Sequence, residues 1–306
     1  MRHKCRVIQG AFMNDSNGGL RPQPKSSTIR PAVPGRPKYS RSCEPADYTG
    51  KNVYNSGKGT GIASKLREMA CENWHIHSNL SNCANPEMTP ANIVAMAEEF
   101  KLDKIAIVDH HHPRENGLLE KIEKRNAALS EIKTDVKVIT GAELSAFGPG
   151  KYADDLQTNA CVGFRLYACN HYHHRDWEHP ETRTPDGYIQ HSLDTTRQLI
   201  ASGRADCIAH PLLVSYIEMY KKNPSQVTSK YLDTELTKLF ELSNTHNVAW
   251  ELSIGKLLGD MPFAKRFIRL GMESGVTFKM GTDAHRLYQI NPKPQIEYFI
   301  TEMEKS

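Results

Sequence analysis

The 306-residue chain has no run of about 18 uncharged apolar residues, the length that a membrane-spanning helix requires, because Arg, Lys, Asp or Glu interrupts each hydrophobic stretch sooner. It has no apolar segment behind the charged opening Met1-Arg2-His3-Lys4-Cys5-Arg6, which argues against a secretory signal. It also has no Cys-x-x-Cys pair. The seven cysteines (Cys5, Cys43, Cys71, Cys83, Cys161, Cys169, Cys207) are odd in number and widely scattered, a pattern of reduced thiols rather than of a disulfide frame or a zinc ribbon. These absences predict a cytoplasmic protein that meets no membrane.

Charge is nearly balanced overall, at +4, but unevenly placed. Residues 1–60 hold 11 Lys and Arg against 3 Asp and Glu, or +8, so the remainder carries 28 against 32, or −4. The same 60 residues contain six prolines between Pro22 and Pro45, set among Ser, Gly, Asn and Arg without apolar periodicity. Such a segment cannot bury enough surface to offset its ordering entropy, so residues 1–60 are predicted to be a disordered basic tail. Scattered basic residues fit an inert extension better than a nucleic-acid arm, and the amphipathic helix of a transit peptide is missing.

Residues 61–306 alternate β-rich runs with helical stretches and are predicted to form one domain. The strands are expected at Asn73–Ile76, Lys104–Val108, Val136–Thr140, Ala160–Ala168, Asp206–Ala209, Val248–Leu252 and Thr277–Met280. Helices are expected at Thr89–Phe100, Leu118–Lys133, Tyr188–Ala201, Leu232–Asn244 and Pro262–Glu273. Thr89 can cap the first of these and Pro90 suits its opening turn, while Gly203 and Gly275 stand where helices should stop. Seven strand–helix alternations imply an α/β fold with a parallel sheet closed or nearly closed into a TIM-like (β/α)7 barrel.

Metal-binding residue types fall at the C-terminal ends of those strands. They are His75-Ile76-His77, then Asp109-His110-His111-His112, Gly141-Ala142-Glu143, Asn170-His171-Tyr172-His173-His174, His210-Pro211, Glu251, and Asp283-Ala284-His285. In a barrel these ends converge on the face where the loops build active sites. In His-x-His and Asp-x-His on extended backbone, side chains two apart point the same way, so both reach one cation or two adjacent ones. Imidazole with carboxylate suits zinc, manganese or iron. Two or three such divalent ions polarise phosphoryl oxygens, generate hydroxide near neutral pH and stabilise the leaving oxygen, with no Ser or Cys nucleophile. Taken singly, His210 could be a satisfied buried side chain, Asp283 a turn cap and Glu251 an orienting group. Six strand ends carrying the same residue types in the same sense point jointly to a metal centre.

These residues resemble the PHP family, named for polymerase and histidinol phosphatase, over about residues 73–290. The motifs that carry the resemblance are HIHSNLS, a helix opened by MTP, KIAIVDHHH, GAELS, IAHP, WELS and GTDAH. The resemblance implies a distorted seven-stranded barrel with up to three metal ions at the strand ends. It implies one metal on His75, His77, Glu143 and Asp283, a second sharing Glu143 with His171 and His210, and a third on His110 and His285. The remaining ligand of that third position departs from the family pattern: Asn82 and Cys83 stand where many members place Asp or His, which leaves Cys83, Glu87 or water. Of His171, His173 and His174, position relative to the strand end favours His171.

The implied activity is hydrolysis of a phosphate ester, with a phosphorylated small molecule or a nucleic-acid end as substrate. Asp283 helps to hold the activating cation, and with the third position empty His285 or His210 is the candidate proton donor to the leaving group. Arg114, Arg175, Lys256 and Arg286 are the cations on loops of the same face that could meet phosphate. Two other readings fit parts of the pattern: a metal-dependent amidohydrolase, whose barrel also opens with His-x-His, and a catalytically silent nucleic-acid-binding barrel. The Asp283-x-His285 pair and the intact ligand set favour the phosphoesterase.

Overall fold

The computed structural model describes residues 60–214 and 216–305, so the expected tail at residues 1–60 lies, but for Thr60, outside the described residues. Its strands are β1 (Glu72–Ile76), β2 (Lys104–His111), β3 (Lys137–Gly148), β4 (Lys151–Tyr152), β5 (Phe164–Ala168), β6 (Cys207–Ile208), β7 (Ala249–Ser253) and β8 (Phe278–Gly281). They form a single sheet in the order β1-β2-β3-β5-β6-β7-β8, with every neighbour parallel, while β4 makes a short antiparallel ribbon with β3. The two edges meet where Ile76 bridges Ala284 in parallel, immediately beyond β8. The result is a nearly closed barrel of seven parallel strands alternating with helices, as the sequence predicts.

Side-chain alternation divides each strand between two cores. Outward residues such as Trp250, Leu252 and Met280 pack with Phe240, Phe267 and Phe299 of the surrounding helices. Inward residues Ala106, Val108, Phe164, Leu166, Cys207 and Ala249 fill the barrel. Each inward row then turns polar toward its C-terminal end: Val108 is followed by His110, Gly141 by Glu143, Ala249 by Glu251 and Gly281 by Asp283. On β1, three residue steps (Asn73 to Ile76) oppose two on β2 (Ile105 to Ile107), a bulge that resets the alternation. Trp74 therefore joins the interior floor while its neighbour His75 still faces the barrel interior.

The helix Pro90–Glu99 is capped as expected, with Thr89 Oγ1 accepting from Asn92 N at 3.2 Å. The helix Pro185–Ser202 ends at Gly203, whose φ of 70° suits a residue without Cβ. Among the described residues, no helix is long and apolar enough to cross a membrane.

Three expectations need correction. Strand β3 runs past Thr140 to Gly148, so Glu143 lies within the strand rather than after it. Residues Leu156–Cys161, partly assigned to a strand, form a short helix because Asp155 caps it, accepting from Thr158 N at 2.8 Å. The helices Thr60–Met69 and Lys293–Glu304 were not anticipated, and a two-pronged ion pair of Arg67 with Glu297, at 2.8 and 2.9 Å, joins them.

Candidate metal centre

The seam that closes the barrel also assembles the site. His77 N donates to Ala284 O at 2.9 Å and Ala284 N to His75 O at 3.1 Å. Ile76 and Ala284 pack into the outer core, so the flanking pairs His75/His77 and Asp283/His285 face inward from the two ends of the sheet. Asp283 and His210 both adopt left-handed backbone, with φ of 53° and 61°. That conformation is uncommon for residues other than glycine and concentrates at functional sites.

Glu143 stands at the middle of the arrangement and divides its two oxygens between two groups. Its Oε2 lies 3.4 Å from both His75 Nε2 and His77 Nε2, which are 3.0 Å apart, while Asp283 Oδ1 is 3.4 and 3.1 Å from the same two nitrogens. Its Oε1 lies 2.9 Å from His210 Nε2 and 3.6 Å from His171 Nε2, which are 3.2 Å apart. A third group joins His77, His110 and His285, whose rings stack on His77 at 4.2 and 4.4 Å. The Cys83 thiol stands at the cavity edge beside His110 and His285, both of which lower its pKa.

The donor set fits divalent cations. Asn170 Nδ2 donates to His210 O and Leu213 O, at 2.8 and 3.0 Å, which fixes its Oδ1 toward His210 Nδ1 at 3.0 Å. His210 Nδ1 must therefore carry a proton, which leaves Nε2, 2.9 Å from Glu143 Oε1, as the nitrogen able to ligate a cation. Glu251 Oε1 takes the same part for His75 Nδ1 at 2.9 Å, and the Asp283 carbonyl for His285 Nδ1 at 2.8 Å. Lone pairs and carboxylate oxygens thus face one another across about 3 Å, an arrangement that shared protons or a cation must relieve. Glu143 Oε2, fully buried, lies 2.7 Å from His110 Nδ1 but outside proper hydrogen-bond geometry.

Electrostatics agree. Burial pushes the Glu143 and Asp283 carboxyls up, but His110 and His75 around the first, and His75 and His77 around the second, outweigh it and hold both well below the usual carboxylate range. Burial, His110 and His75 push His77 down to about 3, so it stays a neutral ligand. Burial opposes the charged form of Cys83, yet contact with His110 and His285 brings its thiol down to about 7.

All eight candidate ligands named from the sequence, His75, His77, His110, Glu143, His171, His210, Asp283 and His285, meet here. His171 is the member of its histidine triplet that reaches Glu143, as strand position favours. Two earlier assignments change. His210 is completely buried with both ring nitrogens engaged, so it is no proton donor to a substrate. Of the four loop cations only Lys256 borders the cavity, 3.4 Å from Asp283 Oδ2, whereas Arg114 and Arg175 point outward beside Asp176. Asp109 is a brace: Ser78, Ser81 and the buried Arg125 all donate to it at 2.8 Å, and Arg125 also donates to Gly141 O at 2.6 Å.

Two contributors escaped sequence reasoning. Asn170 could have been suspected from its place directly before His171. Tyr216, whose ring lies 4.8 Å beneath Lys256 Nζ and stacks on His173 at 4.9 Å, belongs to a loop with no pattern to mark it. Above the histidines opens a cavity of about 630 Å³.

No protein-family model and no curated protein matches the sequence. Among solved structures, a Listeria monocytogenes protein named as a candidate histidinol phosphatase aligns with a TM-score of 0.53 at 12% identity, over 72% of this chain and 97% of that one. The ochratoxinase of A. niger aligns at 0.40 and 11% identity, over 77% of this chain and 67% of that one, and a family 5 xyloglucanase from Paenibacillus pabuli at 0.32 and 8%, over 77% and 99%. At 12% identity the first likeness shows a shared barrel architecture.

Proposed function

We propose that the chain is a metal-dependent phosphoesterase, a hydrolase of phosphomonoesters on a small molecule or at a nucleic-acid end. The observation that carries this reading is the division of Glu143, whose two oxygens face two separate sets of imidazole nitrogens beneath an open cavity. A carboxylate so placed can bridge two cations, and paired cations suit in-line displacement at phosphorus.

In this reading His75, His77, Glu143 and Asp283 hold one ion, Glu143, His171 and His210 a second, and His110 and His285 a third, with Cys83 in the place of the missing loop ligand. Zinc, manganese and iron all accept such sets, and a thiolate at the third position favours zinc or iron. When bound, the ions supply Lewis acidity and neutralise phosphoryl charge. The chain's own residues do the rest. Glu251 and Asn170 fix the ring orientation of His75 and His210, Lys256 pairs with a phosphate oxygen at the cavity edge, and His285, where the third position holds no ion, is placed to give a proton to the leaving oxygen.

The test is to quantify bound metal and then assay with manganese, zinc or iron on an aryl phosphate and on a 5′-labelled oligonucleotide. Metal-dependent hydrolysis abolished by His75→Ala and Asp283→Ala is expected, and metal without turnover of either substrate would reject the activity. Cobalt loading checks Cys83 separately: a sulfur-to-cobalt charge-transfer band that Cys83→Ser removes is expected, and a spectrum unchanged by Cys83→Ser would exclude the thiolate.

A further inference from the structure

The buried centre leaves histidines unused at the cavity mouth. His112 follows β2 and His174 follows β5, and their rings stack at 4.3 Å with an interplanar angle of 29°. On its other side His112 stacks on His110 at 4.6 Å. The ligand nitrogens of His110, His112 and His171 lie within 4.8 Å of one another. The Nδ1 atoms of both His112 and His174 are buried without a hydrogen-bond partner, although each ring borders the cavity. Unpaired nitrogens at such a position lose hydrogen bonds that water would have supplied, unless a ligand replaces them.

We propose that His112, stacked on His174 and with His110 and His171 shared at its inner edge, forms a site for one further divalent cation at the mouth of the cavity. The group contains only imidazole, without a carboxylate, so it selects zinc, nickel or copper over magnesium, calcium or manganese. His110 and His171 also border the buried groups, where His110 Nδ1 lies 2.7 Å from Glu143 Oε2. An ion here therefore has no carboxylate among its own ligands and is repelled by any buried neighbours. It is accordingly the weaker and more exchangeable occupant. The site goes beyond the phosphoesterase reading and does not depend on hydrolysis.

Equilibrium dialysis of the full chain against zinc, with elemental analysis, tests the site in wild type, His112→Gln, His174→Gln and Asp283→Asn. The expected result is one fewer zinc per chain in each mouth variant, with that zinc retained in Asp283→Asn. Equal zinc in wild type and both mouth variants overturns the proposal. So does loss of the exchangeable zinc in Asp283→Asn alone, which leaves the buried centre standing. Zinc sensitive to His112 and His174 but not to Asp283 would instead sink the phosphoesterase reading and keep the mouth site. As a measurement that needs no variant, copper(II) added to zinc-loaded wild type should show hyperfine splitting from several imidazole nitrogens in its electron paramagnetic resonance spectrum. A spectrum of oxygen ligands only would count against the site.

Discussion

The two ends of the barrel interior bury charge in opposite ways. At the N-terminal end, Lys279 lies 3.3 Å over the Trp74 ring and 5.9 Å from that of Phe164, and Trp74 packs on Phe164 at 5.2 Å. Lys104 Nζ also lies 5.2 Å over the Trp74 ring, so cations there are spread over aromatic faces, and burial pushes the Lys279 pKa down. At the C-terminal end, ionised carboxylates and imidazoles crowd together at about 3 Å with their polar atoms converging. The floor is satisfied by the protein itself, whereas the C-terminal end gathers a donor set that could hold a bound cation. That is the usual division of a barrel between stability and activity, reached here along the same inward rows of side chains.

The sharpest way to break this contrast is Glu143→Gln. The substitution keeps shape but removes the charge shared by two groups, so zinc content should fall and kcat should drop by about three orders of magnitude, the equivalent of roughly 4 kcal/mol of transition-state stabilisation. Retained metal and activity would mean that the carboxylate is not a bridge. Arg125→Met should cost about 3–5 kcal/mol in chemical denaturation, because Asp109 would be left buried without its cation. Next comes Gly281→Ala. A Cβ there would overlap the Glu251 carboxylate that reaches through to His75, so metal affinity should weaken by about 10–100-fold, as when a ligand's orienting partner is lost. Unchanged zinc affinity would show that Glu251 does not tune the site.

The smallest effect is expected at the floor. Lys279→Met should leave activity within about twofold, since nothing there faces the cavity. The folded pKa of Lys279 lies below 10.5, so the unfolded chain binds the extra proton and stability rises with pH through that interval. The advantage of the Met variant over wild type should therefore shrink as denaturation is measured at pH rising toward 10.5. A gap that widens with pH would place the lysine's pKa above its ordinary value.

The ligand types and their strand ends were legible because each inward row changes from apolar to polar within two residues, as in Val108 to His110 or Gly281 to Asp283. The limits of β3 were not, since Gly141, Glu143 and Ser145 read as the end of an apolar run although they continue its inward face. The closing helix also hid, even though Ile296, Phe299 and Ile300 have helical spacing, because no strand or motif follows to demand a connection. Asn170 and Asp109 carry ordinary side chains whose roles depend on partners tens of residues away: His210 for the first, Arg125 for the second.

The seam at Ile76 and Ala284 has a consequence for how the molecule comes apart. His75 stands on the first strand, His77 just past its end and Asp283 just past the last, so one cation would clasp segments about 200 residues apart in the chain. Binding free energy at that clasp is folding free energy. Chelation should therefore lower the melting temperature of the whole barrel, and the stripped protein should open first at this seam, as a ring opens at its clasp, with hydrogen exchange fastest at His77 and Ala284.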